Sequence, residues 1–111
     1  MNITEFSRAL DNILNNANNA VHESPDPIIE VSILQSGNKV SIEVRDNGKG
    51  IDELLLRRLN DKDFGKATKI SGHGIGLGEV WRIVQDHGGD LWFEPIPSGG
   101  MCVRILISVV Y

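Results

Sequence analysis

Cysteine is almost missing from this chain. Cys102 stands alone, which excludes an internal disulfide and a cysteine-based zinc cluster. The three histidines, His22, His73 and His87, have no metal-ligand spacing between them, so a zinc site is not expected. Basic residues are in deficit, 11 Lys and Arg against 15 Asp and Glu, for a formal net charge of −4. That balance leaves no broad basic surface for bulk nucleic-acid binding. Aromatics make up 5% of the chain, so Trp92 and Phe93 lack the company a base-stacking platform needs. They are expected in the core or at its rim. No apolar run is long enough to cross a bilayer, and no signal peptide opens the chain. A reducing, cytoplasmic setting is expected, with no membrane contact by this segment, which also suits the soluble end of a longer membrane protein.

What is present suffices for one ordinary core. Hydrophobic residues are 41% of 111, and no repeat or linker divides residues 1–111, so a single domain is expected. Cys102 lies in an apolar segment and should be a small buried hydrophobe. Thr4 is placed to cap a helix from about Glu5. Phe6, Leu10, Ile13, Leu14, Ala17 and Val21 share one face of it, and Ser24-Pro25-Asp26-Pro27 stops it. Its other faces hold five asparagines. Asn is a mediocre helix former, because its side chain competes for nearby backbone groups. Asn12, Asn16 and Asn19 fall at i, i+4, i+7 and make a second stripe beside the apolar one. Neutral amide oxygens suit a hard cation that also keeps phosphate oxygens and waters, as Mg²⁺ does. That reading is strongest for Asn16.

A β-prone run from Ile28 to Ile33 and the alternating Val40, Ile42, Val44 flank Gly37-Asn38, which predicts a hairpin. The second strand runs into Asp46-Asn47-Gly48-Lys49-Gly50-Ile51. A carboxylate at a pocket mouth accepts hydrogen bonds only, as an exocyclic amine such as that of adenine requires. Glycines beside it permit unusual backbone angles and close ligand approach. Asp52 can cap a short helix carrying Leu54, Leu55, Leu56 and Leu59. Residues 61–73 have no periodicity, as in a lid or binding segment, with Lys66 and Lys69 able to reach phosphates or simply solvated. Gly74-Ile75-Gly76-Leu77 then opens a helix with Val80, Trp81, Ile83 and Val84, closed by Gly88-Gly89. Glycine-rich backbone feeding a helix N-terminus is an anion site. His73 sits among those glycines as a supporting contact, whereas His22 and His87 read as helix-end groups. Two further strands joined by Pro97-Ser98-Gly99-Gly100 complete the chain.

Four motifs in this order carry a resemblance over nearly the whole chain: Asn12-Ile13-Leu14-Asn15-Asn16-Ala17, Asp46-Asn47-Gly48-Lys49-Gly50-Ile51, Phe64-Gly65, and Gly72-His73-Gly74-Ile75-Gly76-Leu77. The chain resembles the catalytic and ATP-binding domain of bacterial sensor histidine kinases, in the GHKL superfamily with gyrase, Hsp90 and MutL. The resemblance implies an α+β fold, a two-layer α/β sandwich with a mixed sheet against helices (the Bergerat fold). It implies ATP and Mg²⁺ as ligands, with Asn16 holding the ion on the triphosphate. Asp46 would take the adenine amino group, with Gly48, Gly50 and Ile51 shaping the base pocket. Phe64 would stand for the phenylalanine motif. Lys66 and Lys69 would belong to the lid. Gly72, His73, Gly74, Ile75, Gly76 and Leu77 would lie along the phosphates.

Asn12 occupies the position where ATP-hydrolysing relatives carry a glutamate base. A neutral amide does not readily take a proton from attacking water, which favours a kinase over an ATPase. Asn19 and Ala20 stand where the family often has a Lys-Tyr pair. Met1-Asn2-Ile3 leads almost directly into the asparagine helix, so the partner implied is a dimerisation domain with a phosphoacceptor histidine, elsewhere in a parent protein or on another chain, and a response regulator downstream. Two alternatives stand beside this reading. One is an anti-sigma-factor-type serine kinase, although those carry Glu at the position of Asn12. The other is a degenerate nucleotide-binding interaction domain.

Overall fold

The computed structural model describes residues 3–64 and 76–108. The chain begins with helix α1 (Ile3–Val21), followed by the hairpin of β1 (Ile29–Ser36) and β2 (Lys39–Asp46). Helices α2 (Glu53–Asn60) and α3 (Leu77–Asp86) come next, then the hairpin of β3 (Asp90–Pro95) and β4 (Met101–Ser108). The four strands form one sheet in the order β1-β2-β4-β3, with the helices layered on one side. The architecture is the expected α+β sandwich. The mixed sheet is corrected: among the described strands every neighbouring pair is antiparallel. The reason is the placing of β4. β2 and β3 run in the same direction, but β4 folds back from β3 and lies between them.

Alternation fixes which face meets the helices. Ile42 and Val44 of β2 are 1% exposed, and opposite them in register lie Ile105 and Val103 of β4. Leu91 and Phe93 of β3 are on the same side and fully buried or nearly so. Ala9, Ile13, Ala17 and Val21 are the buried line of α1. Ile13 alone removes a whole aliphatic side chain from water, worth about 1.5–3 kcal/mol. The helix starts at Ile3, so Thr4 lies inside its first turn and is not the cap. Asp52 is a cap, accepting from the Leu55 N–H at 2.8 Å. Of the four leucines around α2, Leu55 and Leu59 are buried, whereas Leu54 is 50% exposed. At the end of α3, His87 Nδ1 lies 2.7 Å from the Ile83 carbonyl oxygen, which makes it the helix-end group the sequence suggests. Cys102 is free and buried.

Between α1 and α3, Arg8 pairs with Glu79 at 2.9 Å and Arg82 with Glu5 at 3.8 Å. These exposed pairs are screened by water, so they orient α1 and α3 more than they hold them. The apolar seam beneath does the holding.

Candidate functional site

The same alternation that buries Ile42 and Val44 turns Asp46 inward. It is the one charged residue among the buried ones described, 6% exposed, at the last position of β2. Its Oδ1 accepts from the Gly48 N–H at 2.9 Å, and the Met101 N–H also serves the carboxylate. Burial pushes its pKa above the ordinary carboxylate range, and these two backbone donors offset part of that shift. An acid placed this way has unused acceptor capacity in an apolar setting, where a hydrogen bond counts for more than in water.

Asp46 forms part of the wall of a cleft with about 630 Å³ of free space, its open mouth included. The α1 wall is Ile13, Asn16, Ala17 and Ala20; Lys49, Gly50 and Ile51 form the loop side; Leu77 comes from α3. The small side chains of Ala17 and Ala20 are what leave room beside the helix. Leu59, Phe93, Met101 and Val103 complete an apolar lining. Asn16 brings an amide whose Nδ2 is buried with no hydrogen-bond partner. A buried polar atom without a partner costs about 1–3 kcal/mol. A half-turn of the amide offers its oxygen to a cation at that place, or keeps its NH₂ for a phosphate oxygen. Mg²⁺ fits such a neutral ligand only if the nucleotide brings the other oxygens. Among the described residues there is no cluster of three His, Cys, Asp or Glu side chains able to hold a metal unaided.

The remaining motif residues divide. Gly48 does not line the cleft. It packs on the end of α1, where a Cβ would overlap the Ala20 carbonyl. Asn47 is structural, accepting from the Ile28 N–H at 2.8 Å and donating to the Asp26 carbonyl at 2.7 Å. Asn12 points at the start of α3, its Nδ2 3.4 Å from the Gly76 carbonyl oxygen. Gly76 caps α3 with φ +85°, and a Cβ there would lie 2.9 Å from Asn12 Cγ, so the helix entrance needs a glycine. Phe64 is a core residue, edge-on to Phe93 with ring centroids 6.5 Å apart, and so supports the cleft through Phe93. Asn19 is exposed and lines a shallow groove beside the cleft, with His22 and Lys49. Lys66, Lys69, Gly72, His73, Gly74 and Ile75 lie outside the described residues.

Sequence reasoning passed over Lys49, Ala20, Phe93, Met101 and Val103. Lys49 sat in plain view between two glycines. The strand residues had a usable signal in their odd-numbered parity, but their register against Asp46 is a tertiary fact.

The family model for histidine kinase-, DNA gyrase B- and HSP90-like ATPases matches residues 1–110. The chain belongs to this family. It is a catalytic and ATP-binding domain of the histidine kinase type. The methanogenesis regulatory histidine kinase FilI of Methanothrix harundinacea is 38% identical over 86% of this chain and 11% of its own length. The sensor histidine kinase YvrG of Bacillus subtilis is 35% identical over 93% of this chain and 18% of its own. This kinase-type domain therefore spans well under a third of those relatives. The nucleotide-free catalytic domain of histidine kinase ThkA superposes with a TM-score of 0.77 at 27% identity, covering 95% of this chain and 67% of that one. The mycobacterial sensor histidine kinase MprB shares the fold, with a TM-score of 0.73 at 24% identity over 97% of this chain and 72% of that one. No helix among the described residues of the domain is long and apolar enough to cross a membrane.

Proposed function

We propose that this domain holds Mg-ATP in the cleft between α1, the Asp46 loop and the start of α3, and donates the γ-phosphoryl group to a histidine on a separate helical dimerisation domain. The single observation that carries this reading is the pairing of a buried, under-used carboxylate with an unpartnered buried amide in one apolar cleft. Asp46 accepts from the exocyclic amine of adenine, and Gly50 and Ile51 pack on the ring. Asn16 faces the phosphates. Mg²⁺, bound with the nucleotide, neutralises charge on the phosphate oxygens. Lys66, Lys69 and the glycines from Gly72 to Gly76, with His73, Ile75 and Leu77, serve the triphosphate side, and Asn19 stands at its rim.

In the transfer, a ring nitrogen of the acceptor histidine bonds to Pγ. The bond from Pγ to the bridging oxygen breaks, and ADP leaves with that electron pair. Position 12 carries no carboxylate to take a proton from water. Asn12 is a neutral amide already turned towards Gly76, which supports transfer over hydrolysis. The single domain of residues 1–111 would thus act in the cytoplasm as the donor half of a two-component system, with a response regulator receiving the phosphoryl group next.

Calorimetry with Mg-ATP tests the reading. Wild type should bind, and Asp46→Ala should bind about 10- to 150-fold more weakly, the equivalent of losing a charge-assisted hydrogen bond of about 1.5–3 kcal/mol. Asn16→Ala should lose affinity for ATP but little for adenosine. Adding a histidine-bearing helical hairpin should yield phosphohistidine. No heat from folded wild type would overturn the proposal.

A further inference from the structure

Strand β1 is the edge of the sheet and lies beyond the helical layer. The helices pack over β2, β3 and β4. Seven of the eight β1 residues are exposed, including Val31 at 44%, Ile33 at 62% and Leu34 at 70%. Edge strands are usually blunted by Lys, Pro, a bulge or a cover. β1 reads Ile-Glu-Val-Ser-Ile-Leu-Gln-Ser, with no Lys or Pro, and its pairing with β2 runs unbroken from Ile29 to Ser36. The opposite edge, β3, is treated differently. There Asn60 donates to the Phe93 carbonyl at 3.0 Å and accepts from the Phe93 N–H at 2.9 Å.

The backbone phase of β1 specifies what fits it. The Asn47 N–H donates to the Ile28 carbonyl at 3.2 Å, so Ile28 and Asn47 extend the β1–β2 ladder as a bonded pair. In an antiparallel ladder bonded and non-bonded pairs alternate. Even-numbered residues of β1 therefore bond to β2, and Ile29, Val31, Ile33 and Gln35 direct their N–H and C=O groups outward. The side chains of Val31 and Ile33 share the helix side of the sheet with Ile42 and Val44, their neighbours in register.

We propose that β1 pairs antiparallel with β1 of a second copy of this chain, about a two-fold axis at Ser32. One register satisfies both backbone and side chains. It sets Ile29 against Gln35 and Val31 against Ile33 of the second copy, and each of these outward-facing pairs exchanges two hydrogen bonds, about eight in all. Shifting by one pair in either direction loses two of them. Val31 and Ile33 of both copies then meet as one apolar cluster on the helix side. Glu30 lies opposite Leu34, so no like charges face each other. The two Ser32 hydroxyls meet at the axis, a favourable cross-strand pair. The result is a continuous eight-stranded sheet with the helices of both copies on the same side.

The test is sedimentation equilibrium on the full chain, with cysteine cross-linking to read the register. Wild type should be a concentration-dependent dimer. Ile33→Lys should weaken association about tenfold or more while keeping the wild-type circular dichroism. Ser32→Cys brings two thiols to a non-bonded pair with Cα atoms about 4.5 Å apart, inside disulfide range. It should cross-link under mild oxidation, and Glu30→Cys should not. Cys102 is buried and is a silent background. Wild type that stays monomeric, as it would if β1 served a strand from another protein, overturns the proposal. So does a dimer that survives Ile33→Lys, or a Ser32→Cys protein that fails to cross-link.

Discussion

At the scale of the residue, the domain turns on Asp46. A carboxylate at 6% exposure is expensive to ionise, and among the described residues two backbone N–H groups compensate it. Its pKa is raised, so the folded state holds this proton more tightly than the unfolded chain does. The stability linked to it is fully present below the unfolded pKa and is lost as pH rises through the folded one. Wild type should therefore gain stability relative to Asp46→Asn when the pH is lowered through that window, measured as the difference in urea midpoint. Nucleotide binding should move the opposite way. The amine needs the ionised acceptor, so ATP affinity should fall on acidification from neutral, while the affinity of Asp46→Asn stays flatter. Parallel pH profiles for the two proteins would remove Asp46 from the adenine site. Asp46→Asn should also weaken ATP more than GTP.

At the scale of the element, the cleft depends on contacts that no periodicity announces. The end of α2 is fastened to edge strand β3 by the Asn60 amide, which both donates to and accepts from Phe93. Phe93 in turn lines the cleft and meets Phe64. Asn60→Ala should cost about 1–3 kcal/mol, because the β3 backbone groups lose their partner while partly buried. Unfolding in urea would measure this, and a loss below a few tenths would mean that water replaces the amide. The sequence made α1, the β1–β2 hairpin and the Asp52 cap legible, since each follows from spacing within a few turns or a few residues. It did not reveal Asn60, whose role depends on where β3 lies. It also placed Thr4 as a cap, one step from where the helix begins.

At the scale of the whole molecule, the cleft is assembled from every regular element among the described residues except β1, and a ligand that fills it must stabilise all of them together. Mg-ATP at about 100 times its dissociation constant should raise the unfolding free energy by about 2.7 kcal/mol. A thermal melt reads this directly, and an unchanged midpoint at that saturation would mean that the nucleotide does not select the folded cleft. The contribution should fall to about 0.3–1.4 kcal/mol in Asp46→Ala at the same ATP concentration. Adenosine, lacking phosphates, should give a smaller shift.

The sequence alone determined the elements and the chemistry on offer: an amide stripe on a helix, a carboxylate ending a strand, and glycine-rich backbone before another helix. Those are local facts, set by spacing, propensity and side-chain type. Tertiary structure decided which of them meet. Asp46 became an acceptor in an apolar wall because strand parity turned it inward and β4 lay against it. Asn16 faced the cleft while Asn19 turned to solvent and Asn12 to Gly76, although all three share one stripe, because a helix face is divided only by what packs against it. The sheet became antiparallel because β4 returned between β2 and β3. Long-range packing chooses among arrangements that local sequence leaves equal.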